Sequence, residues 1–280
     1  MHITAGAALL LQNAGNLQWQ YPINNRLSSQ YNASTSQSLF MFAYLVMVHN
    51  RHAQFGNPDP VILNPKGFDV ILPINCTYIY TNINVAWFFY SSTLNMAIMS
   101  FTGTYNNILA LVDVEYRQVI PKDLHNYVDG MFAHGGFYDL YARVQQPLLT
   151  VLNQYINKDT QVVITGISLG AAMSTLCALD LHGRQLTNGT TITNPIHYNF
   201  AGPRVLNNVA ATIYDKIGLD SFRVINLSDI IPTVPAPIMM AYTGAFDDFH
   251  HVGQLIYFDD NLEDYYANHI TAYVEYYDAR

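Results

Sequence analysis

The segment Val162–Leu181 constrains the fold more than any other part of the sequence. It joins a run of β-branched residues to an Ala-rich stretch without Gly or Pro, through the turn Gly-Ile-Ser-Leu-Gly. The first part predicts a buried strand over 161–165, and the last part predicts a helix over 169–183. A sharp turn from strand to helix forces its central residue into a strained backbone conformation, which small neighbours accommodate. Ser168 would then stand exposed above the sheet, at the positive end of a helix.

Ser168 is therefore a candidate nucleophile. The pattern Gly-x-Ser-x-Gly alone is a weak signal, but here it follows a predicted strand and opens a predicted helix, as the chemistry requires. A serine that only caps the helix in an ordinary strand–turn–helix unit is the alternative interpretation.

Strands and helices are predicted to alternate along the rest of the chain. Periodicity and turn residues predict strands over 85–90, 96–101, 197–201, 222–226 and 253–258, and helices over 36–52, 137–156, 207–217 and 268–277. This alternation predicts an α/β fold with a mostly parallel sheet covered by helices on both faces. Residues 1–30 are polar and rich in turn formers, so an irregular start is expected. Because no repeat or linker interrupts the pattern, we expect a single domain over residues 1–280.

Composition argues against several classes of protein. Charged residues make up 11% of the 280 residues and the net charge is −8, with only 12 Lys and Arg. No basic cluster could neutralise phosphates, which argues against nucleic-acid binding.

The longest apolar run, Leu39–Val48, is about half a membrane span, so no transmembrane segment is expected. The start, MHITAGAALLLQNAG, lacks a basic residue before its apolar patch, which predicts a soluble protein without a clear signal peptide. Compartment and oligomeric state stay open.

A serine hydroxyl needs a base within hydrogen-bonding reach, and the base needs an acid that orients it. Both groups are expected on loops after later strands. Asp229 follows the predicted strand 222–226 and precedes a Pro-rich loop, so it is the candidate acid; an aspartate that caps a turn or helix is the alternative. His269 follows the last predicted strand and is the candidate base. His251 is second, and its alternative interpretation is a core histidine bonded to a backbone carbonyl.

The oxyanion that develops during acyl transfer needs hydrogen-bond donors. The backbone N–H of Leu169 qualifies by its position after the candidate nucleophile. Thr104 offers a second N–H and a hydroxyl, because the strand 96–101 ends in Thr102-Gly103-Thr104. A plain β-turn is the alternative interpretation of this loop.

The order of these landmarks resembles the class 3 lipases, the fungal-lipase-like α/β-hydrolases. The resemblance runs from about Val85 to the C-terminus, whereas residues 1–80 match only loosely. It rests on the segments VVITGISLGAAMSTLCALDL, FTGT, AHGGFYDLYARVQQPLL, YNFAGPRVLNN, FRVINLSDIIPTVP, HHVGQLIYF and NHITAYV. It implies an α/β-hydrolase fold with a lid-like helix.

The resemblance also implies a function. It implies a serine hydrolase that cleaves carboxylic esters of lipids, as triacylglycerol lipases do, with Ser168 as nucleophile, Asp229 as acid and His269 as base. It carries the oxyanion role to Thr104 and Leu169 and gives His251 a structural role. Such a mechanism uses no metal or cofactor. A phospholipase A1, a soluble carboxylesterase, or an inert lipase-like binding or structural protein remain alternatives.

The chain departs from the family pattern without losing a catalytic group. The departures are Ile167 in place of His, Thr102 in place of Arg, and Ala171 and Leu206 in place of Gly. The first two could alter how the turn and the lid are anchored.

The segment Tyr105–Arg117 follows the oxyanion loop, where related lipases carry a lid. Its apolar face consists of Ile108, Leu109, Leu111 and Val112, with Asp113 and Glu115 beside it. As a lid, this face would cover an acyl groove in water and open at a lipid–water interface. A packed surface helix is the alternative.

Overall fold

The computed structural model describes residues 22–55, 63–106, 109, 113, 115–240 and 246–279. Its strands are β1 (Val70–Tyr78), β2 (Thr81–Ser91), β3 (Met96–Phe101), β4 (Gln118–Val119), β5 (Ala133–His134), β6 (Gln161–Ile167), β7 (Ile196–Phe200), β8 (Asp220–Asn226), β9 (Ile238–Met240), β10 (Phe246–Asp248) and β11 (Gln254–Phe258). Its helices are α1 (Ala33–Phe55), α2 (Gly135–Tyr155), α3 (Leu169–Leu181), α4 (Asn208–Lys216) and α5 (Ala272–Asp278). A 3-10 turn covers Ile231–Thr233 and a π turn covers Ala267–Thr271.

Seven of these strands form one sheet in the order β1-β2-β3-β6-β7-β8-β11. Neighbouring strands from β3 to β11 are parallel, whereas β2 is antiparallel to both β1 and β3. The carboxyl ends of the parallel strands therefore meet at one edge, where sites form in such sheets. The predicted mostly parallel sheet is confirmed.

Helices cover both faces of the sheet, as predicted. One apolar cluster joins α2, α3 and α4 to the sheet, and the other joins α1 and α5 to the opposite face. Strand β6 contributes to both clusters, because Val162 and Ile164 face one side while Val163 and Ile167 face the other. Among the described residues, none of the helices combines the length and the apolarity needed to cross a membrane.

The observed elements differ from the predicted ones mainly at the edges. Strand β1 and the short hairpins β4–β5 and β9–β10 were not predicted, and the predicted helix 268–277 divides into the π turn and α5. Helix α1 is longer than predicted, starting at Ala33, because the side chain of Asn32 accepts a hydrogen bond from the N–H of Thr35. The predicted irregular segment 1–30 lies outside the described residues up to residue 21.

Two glycines allow α3 to begin close against the sheet. A Cβ on Gly166 would collide with the carbonyl group of Gly170, and a Cβ on Gly170 would collide with the carbonyl groups of Phe101 and Thr102. The turn between β6 and α3 therefore touches the end of β3. This contact places Ser168 directly beside the loop that follows β3.

We predict that Gly170→Ala destabilises the fold by about 3 kcal/mol, because the added methyl group has no room against backbone atoms. Gly189→Ala is the control: Gly189 has φ +85° and open space around it, so only backbone strain of about 1 kcal/mol is expected. Urea unfolding of the two variants measures both effects. If both variants lost the same free energy of unfolding, the close approach of α3 to the sheet at Gly170 would not constrain the fold.

Candidate active site

Ser168 occupies the strained turn that the sequence predicts. Its φ is +58° and its ψ is −123°, a region that residues with a Cβ rarely adopt. Its N–H donates to the carbonyl oxygen of Phe200 at 2.9 Å, which ties the turn to β7. The side chain makes no capping hydrogen bond to α3. The alternative of a helix-capping serine therefore does not describe this residue, whose Oγ points to His269 instead.

His269 joins the hydroxyl of Ser168 to the carboxylate of Asp229. Its Nε2 lies 2.8 Å from Ser168 Oγ, and its Nδ1 lies 2.9 Å from Asp229 Oδ2. A carboxylate only accepts hydrogen bonds, so Nδ1 carries the proton and the unprotonated Nε2 accepts from the hydroxyl. The structure thus brings the three predicted residues into one hydrogen-bonded chain.

Asp229 is buried and receives several donors. It follows β8, and besides His269 its carboxylate accepts from the N–H of Ile231 at 2.9 Å and from the hydroxyl of Tyr273 at 3.1 Å. Buried carboxylates need such partners, because an unpaired charge away from water is costly. These contacts hold the carboxylate oxygen towards the imidazole.

Two residues that the sequence analysis missed support this arrangement. The hydroxyl of Tyr273 accepts a hydrogen bond from the N–H of Asn226 at 2.8 Å while it donates to Asp229. The buried side chain of Asn226 donates to the carbonyl oxygens of Asp260 and Asn268, at 2.8 and 3.1 Å. Asn226 thereby ties the end of β8 to the segment before His269. The spacing of four residues from His269 to Tyr273, typical of one helix face, was the available signal.

Thr104 lies on the loop after β3, and Leu169 is the residue directly after Ser168. The loop of Thr104 leaves the carboxyl end of β3, and a Cβ on Gly103 would lie 3.2 Å from the carbonyl oxygen of Ile167. Leu169 is the first residue of α3, so its N–H has no acceptor within the helix. The two predicted oxyanion donors therefore belong to adjacent segments beside the serine.

His251, the second candidate base, and His197 both make contacts that fit a structural role rather than a catalytic one. His251 Nε2 lies 2.7 Å from the carbonyl oxygen of Pro232, and burial lowers the pKa of His251 to about 3. The alternative interpretation of His251, a core histidine bonded to a backbone carbonyl, predicted this contact. His197 Nε2 lies 2.9 Å from Ser174 Oγ, a second Ser–His contact, but both residues are fully buried. Its Nδ1 faces the hydroxyls of Tyr214 and Ser221 rather than a carboxylate.

Comparison with known proteins decides the family. The sequence model of class 3 lipases matches residues 98–239, just over half of the chain. The chain belongs to the class 3 lipase family. The predicted family is thus confirmed.

Individual relatives agree with this assignment over part of their length. The lipase of Rhizomucor miehei is 36% identical over 136 residues, which cover 48% of this chain and 35% of the relative. A chloroplastic phospholipase A(1) of Arabidopsis thaliana is 30% identical over 156 residues, covering 51% of this chain and 34% of the relative. This class 3 lipase chain thus spans about a third of the length of both relatives.

A solved structure supports the fold over a larger share of the chain. The native Rhizomucor miehei lipase propeptide complex superposes with a TM-score of 0.59 at 25% identity, covering 82% of this chain and 70% of that chain. The α/β-hydrolase fold predicted from the sequence is confirmed by this likeness and by the mostly parallel sheet.

The four residues at which this class 3 lipase departs from the family pattern all lie in the interior of the protein. Ile167, Thr102, Ala171 and Leu206 are all buried. The hydroxyl of Thr102 donates to the neighbouring carbonyl oxygen of Gly103, and Leu206 bridges Ala133 and His250 through its backbone.

The predicted lid face lies only partly within the described residues. Of the four apolar residues, Ile108, Leu111 and Val112 lie outside the described residues. Leu109 is fully buried in the cluster that contains α2. The substrate-binding role of this face stays a prediction.

Asp113 lies within the candidate site rather than merely beside an apolar face. Its Oδ2 accepts a hydrogen bond from Thr104 Oγ1 at 2.9 Å. Burial raises the pKa of Asp113 to about 6, although the Thr104 hydroxyl and the nearby imidazole of His269 oppose the rise. This hydrogen bond joins the predicted lid segment, Tyr105–Arg117, to the loop of Thr104 that follows β3.

We predict that Asp113→Asn stabilises the protein increasingly as pH rises from 4 to 7. The folded-state pKa of about 6 lies above the ordinary value of 3.8, so the folded state holds this proton more tightly than the unfolded state. The wild-type protein therefore loses stability as pH rises through this window, and asparagine does not. The expected gain is on the order of 2 kcal/mol.

Urea unfolding at pH 4, 5, 6 and 7 measures this difference. Asp159→Asn, on an exposed turn, controls for the loss of one negative charge. If the gain in the free energy of unfolding from Asp113→Asn did not grow with pH, the raised pKa of the buried Asp113 carboxyl would be contradicted.

Proposed function

We propose that this chain is a serine hydrolase that cleaves carboxylic esters of lipids, in the manner of a triacylglycerol lipase. One observation carries the proposal: Ser168, His269 and Asp229 form a continuous hydrogen-bonded chain, with distances of 2.8 and 2.9 Å, at the start of α3. A strained backbone is maintained at Ser168, which presents the hydroxyl at the carboxyl edge of the sheet.

Acylation begins at this chain of hydrogen bonds. His269 Nε2 takes the proton of the Ser168 hydroxyl as Oγ attacks the ester carbonyl carbon. The imidazolium that forms is stabilised by the Asp229 carboxylate on Nδ1. Because Asp229 is held by Tyr273 and the N–H of Ile231, it need not reorient as charge develops.

The tetrahedral intermediate carries a negative charge on the former carbonyl oxygen. The N–H of Leu169 and the N–H and hydroxyl of Thr104 are the proposed donors to this oxygen, each worth about 3–4 kcal/mol of barrier. In this structure the Thr104 hydroxyl donates to Asp113. Because a hydroxyl has a single proton, this hydrogen bond must break before the Thr104 hydroxyl donates to the oxyanion, whereas the N–H of Thr104 needs no such change.

The intermediate collapses when the alcohol leaves with the proton from His269. The acyl group then remains on Ser168 Oγ as an ester. Water attacks this ester with His269 as the base, and the acid is released while the serine regains its proton. Every proton in this cycle moves through the imidazole of His269.

A lipid ester is the proposed substrate because of the family and the surface around the site. The matched Rhizomucor miehei protein is named a lipase. Exposed apolar side chains flank the site, including Ile230, which directly follows Asp229, and Tyr265, whose ring lies close to that of His269. We therefore propose that the substrate is presented at a lipid–water interface.

Phospholipid cleavage is the second candidate. The match to a phospholipase A(1) at 30% identity over 156 residues favours it. The same catalytic steps would apply, because both reactions attack a carboxylic ester and differ in the group attached to the glycerol.

Ser168→Ala is expected to lower ester hydrolysis by at least about 10⁴-fold, because no other nucleophile replaces the hydroxyl. Ser174→Ala is the matched control: this serine also contacts a histidine, but it is fully buried and its histidine faces no carboxylate. It should retain most of the activity. The measurement is hydrolysis of triacylglycerols of increasing chain length, of one soluble short-chain ester and of phosphatidylcholine.

The panel also separates the two candidates. Faster release of fatty acid from phosphatidylcholine than from any triacylglycerol would favour the phospholipase. Equal activity of wild type and Ser168→Ala would reject the role assigned to Ser168.

A further inference from the structure

Arg223 is a half-buried cation that makes no ion pair with the described residues. It lies on β8, and its Nε is enclosed by protein without a hydrogen-bond acceptor. Arg117, Arg143 and Arg184 differ, because each of them pairs with an acidic side chain. Taking a guanidinium out of water costs free energy unless an anion accompanies it. The surroundings of Arg223 therefore favour the binding of an anion.

Arg204 adds a second positive charge beside Arg223. Its Nη1 donates to the carbonyl oxygens of Thr233 and Pro235, whereas its Nε and Nη2 make no hydrogen bond with the described residues. Burial and the charge of Arg204 lower the pKa of Arg223 to about 10, so Arg223 stays protonated at neutral pH. Two charged guanidinium groups thus share one region, and neither is paired with a carboxylate in the described part of the chain.

An unsatisfied amide lies on the neighbouring strand. Asn199 of β7 is in register with Arg223 of β8. The next residues on these strands, Phe200 and Val224, belong to the cluster with α1 and α5, so Asn199 and Arg223 face the opposite side of the sheet together. Asn199 is 2% exposed, and its Oδ1 has no hydrogen-bond partner. Buried polar atoms are nearly always paired, so this juxtaposition indicates a place for a polar ligand.

His251 connects this region to the segment that follows Asp229. Its Nε2 donates to the carbonyl oxygen of Pro232 at 2.7 Å. Burial and the charge of Arg223 lower the pKa of His251 to about 3, so its imidazole is neutral at pH 7. The positive charge of the region is therefore that of Arg204 and Arg223.

We propose that Asn199, Arg204 and Arg223 form a binding site for a phosphate group, either free or as a monoester. Each guanidinium can present parallel N–H donors to the oxygens of such an anion. A phosphate group carries a charge of about −1.5 to −2 at pH 7, which matches two arginines better than the single charge of a carboxylate. The Asn199 amide can turn its Nδ2 towards the anion, because its Oδ1 has no hydrogen bond to lose.

A bound phosphate group would join three parts of the chain. Arg223 belongs to β8, Asn199 to β7, and Arg204 holds the segment of Thr233 and Pro235 that follows the candidate acid. A ligand that binds the folded state alone raises the stability of that state. We therefore expect phosphate to stabilise the protein whether or not Ser168 is catalytic.

The test compares inorganic phosphate with chloride at equal ionic strength and pH 7.5, using the full chain. Calorimetric titration should give a dissociation constant on the order of 1 mM, as expected for a few charge-assisted hydrogen bonds. About 50 mM phosphate should then raise the midpoint of thermal unfolding by at least about 3 °C. Glycerol 3-phosphate and acetate are titrated in the same way.

Arg223→Gln should weaken phosphate binding at least about tenfold, because one guanidinium is lost. In chloride it should be at least as stable as the wild type, since an unpaired, half-buried charge is removed. Arg143→Gln is the control for net charge: Arg143 is exposed and pairs with Asp139. This control should bind phosphate within about twofold of the wild type. If Arg223→Gln does not fold, Arg223→Met, which keeps the apolar part of the side chain, replaces it.

Each result bears on the proposal. Equal phosphate affinity of the wild type and Arg223→Gln would overturn it, and so would stabilisation by phosphate that does not exceed that by chloride. Acetate that binds as tightly as phosphate would overturn the choice of a phosphate group. Tighter binding of glycerol 3-phosphate than of inorganic phosphate would support the site and assign it to a monoester, and the reverse order would assign it to the free anion.

Discussion

The hydrogen bond between Ser168 Oγ and His269 Nε2, 2.8 Å long, joins residues 101 positions apart in the sequence. It forms only if three structural conditions are met together. The turn after β6 must hold a positive φ, the loop after β8 must bury Asp229, and the π turn must direct the imidazole between them. The parallel sheet meets these conditions because it brings the loops after β6 and β8 to one edge. Glycine at positions 166 and 170 then lets α3 approach closely enough to fix the serine.

The contrast between the two Ser–His contacts shows what the surroundings add. Ser174 and His197 are as close as Ser168 and His269, at 2.9 Å, but they are fully buried and no carboxylate faces the imidazole. Burial lowers the pKa of His197 to about 3, so this ring is a poor proton acceptor. A serine near a histidine is therefore not sufficient for nucleophilic chemistry. Access to the hydroxyl and a carboxylate on the far nitrogen of the imidazole distinguish the candidate site.

The parts of the fold that could be predicted are those whose pattern is set by burial. Strand β6 and helix α3 lie in the centre, where β-branched and small apolar residues are continuous, so their bounds agree within two residues. Strand β1 was missed because it is an edge strand that carries Pro73 and exposed polar residues. Tyr273 and Asp113 act through contacts with Asp229 and Thr104 that lie across the fold. The four-residue spacing from His269 pointed to Tyr273 but not to its contact with Asp229. Placing Ser168, Asp229 and His269 at one edge required only the order of the strands.

The central claim is that Ser168 is the group that attacks an ester carbonyl. The most direct measurement is a crystal structure of the protein after reaction with an alkyl p-nitrophenyl phosphonate, which mimics the tetrahedral intermediate. The account predicts a covalent bond from Ser168 Oγ to phosphorus, with one phosphoryl oxygen about 2.7–3.1 Å from the donors of Leu169 and Thr104. A phosphonate attached to another residue, or a folded protein that forms no adduct, would contradict it.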